Sequence, residues 1–68
     1  MDFKLTDGDY IELCKLLKII NLASSGAEAK IMIDEGMVKR NGAVELRRRA
    51  KLRAGEVIEI DDTIINIV

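Results

Sequence analysis

Ser25-Gly26-Ala27-Glu28-Ala29-Lys30-Ile31-Met32-Ile33-Asp34-Glu35-Gly36-Met37-Val38-Lys39-Arg40-Asn41-Gly42 changes its hydrophobic period once, and that change decides the fold. Up to Gly36 the spacing is helical. Ser25 and Glu28 match the reciprocal capping box, in which a serine hydroxyl and a glutamate carboxylate each satisfy one free N–H of the first turn. Ala29, Met32 and Ile33 then share one apolar face, and Gly36 stands where a helix end favours positive φ. Beyond Gly36 the chain reads as strand. Asn41-Gly42, between Met37–Arg40 and Ala43–Leu46, is a strong hairpin signal, because a type I′ turn needs positive φ at both central residues.

Upstream, Leu13, Leu16, Leu17 and Ile20 repeat at the spacing of a buried helical face, with Asp9 as the expected N-cap, Glu12 in the first turn and Asn21 as a left-handed stop. The two helices, of about eleven residues each with a loop of about four between them, should form an antiparallel or crossed pair. Phe3-Lys4-Leu5 reads as a short strand ended by the turn formers Thr6-Asp7-Gly8-Asp9. Downstream, Ala54-Gly55 marks a turn, and the β-branched runs Glu56–Ile60 and Thr63–Val68 flank Asp61-Asp62 as a closing hairpin. The order predicts an α+β domain over residues 1–68, a two-helix pair packed on a small, mostly antiparallel twisted sheet.

The chain has 68 residues. A domain of this size buries only about 60% of the surface its unfolded chain exposes, which leaves no room for a doubly wound nucleotide-binding sheet or a barrel. Hydrophobic residues are 49% and charged residues 34%, proline is absent and mean hydropathy is +0.08, the balance of a chain that folds by itself. With no histidine and the single cysteine Cys14, a Cys/His zinc site or an internal disulfide cannot form within one chain. A reducing, cytoplasmic setting fits, and no cofactor is expected. Apolar runs fall far short of the roughly 20 residues that cross a bilayer, and Met1-Asp2-Phe3-Lys4 lacks the plan of a secretion signal. No membrane partner is expected.

Net charge is −1, and it is sharply segregated. Residues 1–14 carry −3, residues 15–38 cancel, residues 39–53 carry +6 and residues 54–68 carry −4. Seven of the eleven cations therefore sit in fifteen residues: Lys39, Arg40, Arg47, Arg48, Arg49, Lys51 and Arg53. If residues 46–53 are extended, Arg47, Arg49, Lys51 and Arg53 fall on one side, with Leu46, Ala50 and Leu52 on the other and Arg48 as the exception. At about 3.3 Å per residue the four cations would lie roughly 6.6 Å apart and span about 20 Å. Such a row favours a polymeric anion, since each phosphate neutralised releases condensed counterions and the contributions accumulate. Arginine's fork, which can take two phosphate oxygens at once, predominates in it.

Modules that read unpaired bases usually stack them on aromatic rings. Here only Phe3 and Tyr10 are aromatic, both distant in sequence from the basic segment. Base stacking is therefore not expected as the main device, and backbone shape is, which points to folded or double-stranded RNA and leaves DNA open.

Three stretches, Leu22–Lys30, Gly36–Gly42 and Leu52–Ile58, resemble in order and spacing the alpha-L RNA-binding motif, the domain named after small-subunit ribosomal protein S-four. Glu12–Lys18 and Val44–Arg49 add a likeness to its small stand-alone bacterial, ribosome-associated members. The resemblance spans residues 3–60. It implies a helix pair on a small twisted sheet that binds structured RNA, often ribosomal, through the second helix and the following hairpin region. Carried over residue by residue, it adds Lys15 from the first-helix motif, Ser25 and Lys30 from the second, and Lys39 from the strand before the turn. Many relatives carry arginines along the second helix where this chain has Gly26, Ile31 and Asp34; the basic load here is shifted to residues 39–53.

Plainer readings stand beside these. A charge run is often only a solvated face, Lys30 could pair with Asp34 four residues on, and Lys18 reads as an ordinary surface residue. Cys14 reads as a small core residue without a base to activate it, and Ser24 and Ser25 as caps. The expected function is non-catalytic binding of structured RNA, ribosomal RNA or tRNA, with ribosomal particles as a further partner, in ribosome assembly or quality control. No small-molecule substrate is expected. The RNA-contact set is Lys15, Ser25, Lys30, Lys39, Arg40, Arg47, Arg48, Arg49, Lys51 and Arg53. Reversing Arg47 and Arg49 to glutamate is expected to abolish binding with the fold intact. The alternative is a protein-interaction adaptor that docks its basic strip on an acidic partner.

Overall fold

The computed structural model describes residues 1–6 and 8–68. Nine elements follow in order among them: β1 (Asp2–Phe3), β2 (Ile11–Glu12), α1 (Leu13–Ile19), α2 (Gly26–Asp34), β3 (Val38–Arg40), β4 (Ala43–Val44), β5 (Lys51–Leu52), β6 (Val57–Ile60) and β7 (Thr63–Ile67). This is the α+β arrangement of a helix pair with a mostly antiparallel sheet. The main sheet runs β1-β7-β6-β3-β4, antiparallel except where β1 joins β7 in parallel. A separate two-stranded ribbon pairs β2 with β5. The turn expected over Thr6–Asp9 includes Asp7, which lies outside the described residues.

One core serves both layers. Leu13, Leu16 and Leu17 of α1 and Ala29 and Ile33 of α2 are buried with Val38, Leu52, Ile58, Ile60, Ile65 and Ile67 of the strands. The period-2 alternation of β6 and β7 sends these isoleucines inward and leaves Ile64 and Asn66 exposed. Both expected hairpins form. Asn41 and Gly42 take φ of 51° and 88°, the left-handed pair that a type I′ turn demands, and Ile60 pairs with Thr63 across Asp61-Asp62.

Both helices end in the same way. Asn21 (φ 62°) and Gly36 (φ 75°) each donate to a carbonyl three residues back, at 3.1 and 3.0 Å, while the next residues, Leu22 and Met37, reach five back to Leu17 and Met32. These are Schellman closures that satisfy carbonyls left free at the helix end. Ser25 caps α2, its hydroxyl accepting the Glu28 N–H at 3.2 Å. The reciprocal half of the box differs from expectation, because the Glu28 carboxylate accepts instead from the Ser24 hydroxyl at 2.7 Å.

The start of α1 corrects the sequence reading. Asp9 is not its cap: the helix begins at Leu13, with extended Glu12 (φ −72°, ψ 141°) as N-cap and no side-chain cap bond. Ile11 and Leu13 are both buried with half-buried Glu12 between them, which is a strand alternation leading into the helix. The first helical N–H groups find carbonyls instead of a carboxylate, Leu13 donating to Ala50 O and Cys14 to Arg48 O, both at 3.0 Å. The helices are accordingly shorter than expected, seven and nine residues. Cys14 is half-buried and packs against the core.

Candidate nucleic-acid interface

The basic segment is not one extended row. Only Lys51–Leu52 is strand, and residues 48–49 form a turn in which the Ala50 N–H donates to Arg47 O at 3.2 Å. The reason lies in α1, whose free N–H groups take the Arg48 and Ala50 carbonyls and so bend the segment around the helix start. Burial of Ala50 and Leu52 fixes its inner side, as expected, while Leu46 turns out exposed. The evenly spaced ladder of four cations over residues 47–53 is therefore replaced by a curved rim.

What holds that rim is Arg40. Its Nε donates to Glu56 Oε1 at 2.5 Å, Nη1 to Glu45 Oε1 at 3.0 Å and Nη2 to the Lys51 carbonyl at 2.9 Å. One guanidinium thus joins β3 to the chain after β4, to β5 and to the turn before β6. Glu45 is buried, with a relative exposure of 9%. Its Oε2 accepts the Arg47 N–H at 3.2 Å and Arg47 Nε at 3.3 Å. Hydrogen bonding by Arg47 does most to bring the Glu45 carboxyl down to about 2; burial opposes this, and Arg40 adds to it. Glu56 is also lowered, chiefly by Arg40, and its Oε2 accepts the Arg53 N–H at 2.6 Å. Arg40 is raised in turn, first by Glu56 and then by Glu45.

Arg48 is occupied as well. Its guanidinium forks onto Asp34 at the C-terminal end of α2, with Nε to Oδ1 at 3.0 Å and Nη2 against Oδ2. This holds the Asp34 carboxyl below its usual range. A cation beside a helix C-terminus also meets the negative end of the dipole. Asp34 therefore pairs with Arg48, and Lys30 forms no ion pair with it.

Arg49, Lys51 and Arg53 remain, exposed and without an ion-pair partner among the described residues. With Arg40, Arg47 and Ala50 they surround an open basin of about 390 Å³. Five of the ten expected contact residues are thereby brought together: Arg40, Arg47, Arg49, Lys51 and Arg53. The other five are elsewhere. Lys15 is exposed on α1 and lines a neighbouring groove, Ser25 caps α2, and Lys30 is exposed on that helix. Lys39 lies between inward Val38 and half-buried Arg40 on β3 and so occupies the opposite sheet face, while Arg48 turns to Asp34.

Sequence reasoning missed two parts of this site. Glu45 was the lone anion among seven cations, and a lone countercharge in a basic run was the available signal that some arginines have internal duty. Tyr10 is distant from the basic segment in sequence, yet β2–β5 pairing brings its ring to 5.1 Å from Lys51 Nζ and 5.7 Å from Arg53 Cζ. Among the described residues no helix is long and apolar enough to cross a membrane, and no group of three or more metal-ligating side chains occurs.

Comparison with known proteins gives a consistent family likeness. The family model described as the S4 domain matches residues 3–68. The YbcJ proteins of Escherichia coli K12 and of Shigella flexneri are each 44% identical over 66 residues, covering 97% of this chain and 94% of their own length. The solution structure of YbcJ from E. coli, described as revealing an alphaL motif involved in RNA-binding, superposes with a TM-score of 0.74 at 43% identity, covering 98% of this chain and 85% of that one.

Proposed function

The chain belongs to the S4 domain family, and from that premise we propose that it binds structured RNA and carries out no chemistry of its own. Residues 1–68 act in this reading as a single RNA-binding domain of the S-four type, working in the cytoplasm on ribosomal RNA or tRNA, in ribosome assembly or quality control on ribosomal particles. The observation that carries the proposal is the separation of charges within the basic segment. Arg40, Arg47 and Arg48 are neutralised by Glu45, Glu56 and Asp34, and this leaves Arg49 of the turn, Lys51 of β5 and Arg53 just after it exposed and unpaired among the described residues. Cations carried on a braced backbone and not internally paired are suited to successive phosphates of a pre-shaped backbone.

In this reading Arg49, Lys51 and Arg53 make the principal phosphate contacts, and Lys15 extends the surface across the adjoining groove. Arg40 and Arg47 line the basin and set its shape. Lys39 lies on the opposite sheet face, and Ser25 and Lys30 on α2 do not line the basin, so these three are secondary contacts in this reading. The test is competition. A labelled RNA stem-loop is bound by the protein and challenged with an unlabelled folded RNA, a single-stranded RNA of equal length and an acidic polypeptide. Displacement by the folded RNA well below the concentrations needed of the other two supports the proposal. Displacement best by the acidic polypeptide overturns it in favour of a protein-docking strip.

A further inference from the structure

We propose that Tyr10 is a stacking platform for a single unpaired nucleobase whose phosphate lies in the cationic basin, so that the preferred ligand is a stem carrying an extruded nucleotide. This rests on the RNA-binding reading above and deepens it.

The placement follows from register. Ile11 pairs with Leu52 and Glu12 with Lys51, so the next position outward sets Tyr10 opposite Arg53, on the ribbon face that carries Lys51 and Arg53. The distances agree, with Lys51 Nζ 5.1 Å and Arg53 Cζ 5.7 Å from the ring centroid. Two of the three unpaired cations of the rim are thus in cation–π reach of one ring. Tyr10 is nevertheless 43% exposed, which leaves part of the ring open to a ligand.

The ring also borders a second concavity. A groove of about 570 Å³ runs from Tyr10 past Phe3, Leu5, Ile11 and Ile19, with Lys15 on its wall. Tyr10 therefore stands between a basin whose lining is cationic and a mixed groove, whose apolar side is Phe3, Leu5, Ile11 and Ile19 and whose charged rim is Lys4, Asp9, Glu12 and Lys15. A nucleotide has the same two-part chemistry, an anionic phosphate and a flat, mostly apolar base. A base inside a duplex cannot reach the ring, whereas one turned out of the stack can, and base–aromatic stacking tolerates any of the four bases. The groove is thus assigned a nucleobase as occupant, through its continuity with the phosphate-binding rim.

Tyr10 is the only tyrosine and tryptophan is absent, so intrinsic fluorescence reports on this ring alone. The probes are a short, fully paired RNA stem-loop and the same stem-loop with one adenosine bulged from the stem. The bulged RNA is expected to quench the emission and the paired one to leave it nearly unchanged. Tyr10→Ala is expected to lose about ten-fold in affinity for the bulged RNA and almost nothing for the paired one, and Tyr10→Phe to retain the preference. Equal loss on both RNAs would show that the ring merely braces Lys51 and Arg53, and overturns the inference. So does equal affinity of the unsubstituted protein for both RNAs with no quenching, although RNA binding itself would then stand. Failure to bind either RNA overturns both readings. Quenching is read on the unsubstituted protein, so a poorly folded Tyr10→Ala does not block the test.

Discussion

Arg40 and Arg53 lie in the same basic stretch and line the same basin, yet they differ in what surrounds their charge. Arg40 is four-fifths buried at its side chain and meets two carboxylates and a carbonyl. Arg53 is exposed, and its guanidinium meets no carboxylate among the described residues and lies over an aromatic ring. The lesson is that a count of cations overstates an interface. A guanidinium that already holds internal acceptors has little left for a phosphate, and its contribution to binding is the rigidity it confers on its neighbours. Arg47 falls between the two, 74% exposed at its side chain but bonded to Glu45. A glutamate placed there would face the buried Glu45 carboxylate, so the pair of reversals that sequence alone suggests, at 47 and 49, would perturb fold and surface together. The cleaner pair is Arg49 and Arg53.

The contrast can be broken in order of expected effect. Arg49→Glu with Arg53→Glu should weaken binding of a folded RNA by about a thousand-fold at low salt with the thermal midpoint unchanged; a large fall in that midpoint would show that the outer cations are structural after all. Arg40→Met should do the reverse. It removes one partner from Glu45, which keeps Arg47, and one from Glu56, which keeps the Arg53 N–H and the Asn41 amide. The loss should cost roughly 3 kcal/mol in denaturant unfolding, the low end for a broken buried pair because those partners remain. If stability were unaltered, the bracing role of Arg40 would be lost.

Acid should act on the inner set too. The Glu45 carboxyl titrates at about 2 in the folded chain against an ordinary 4.5. A lowered folded value means that the stabilisation is complete above about 4.5 and is lost as pH falls from there through about 2. After allowance for screening it amounts to something on the order of 2 kcal/mol. Glu45→Gln should flatten this part of the stability–pH curve, and a curve of the same shape in that variant would assign the acid sensitivity to another carboxylate. The smallest effect is expected at Lys18, exposed on α1 away from the basin, where alanine should change RNA affinity by less than about two-fold. A loss comparable to that of the double reversal would make the first helix a contact surface.

Much of the fold was legible because its signals are local. The Ser25 cap, the Gly36 stop, the Asn41-Gly42 turn and the alternating isoleucines of β6 and β7 each act within a few residues, and each appears where the sequence places it. The start of α1 was not legible. A carboxylate at Asp9 and an apolar stripe from Leu13 suggested one continuous helix, and only the distant carbonyls of Arg48 and Ala50 decide that the helix begins at Leu13. The basic strip failed for the same cause, since the backbone bonds that bend it come from α1. The clamp of Arg40 on Glu45 and Glu56 joins residues up to sixteen apart, and Tyr10 reaches Lys51 only through the β2–β5 ribbon. Such pairings have no periodicity to read.

The central claim is that three unpaired cations, held in place by an internally neutralised arginine, take the phosphates. The salt dependence of affinity for a folded RNA tests it most directly. With about three phosphates neutralised, log affinity should fall against log salt with a slope of about −2 to −3, and replacing Arg49, Lys51 and Arg53 by alanine should bring the slope close to zero. A slope that stays as steep in the triple variant would place the contacts elsewhere on the domain and contradict the account.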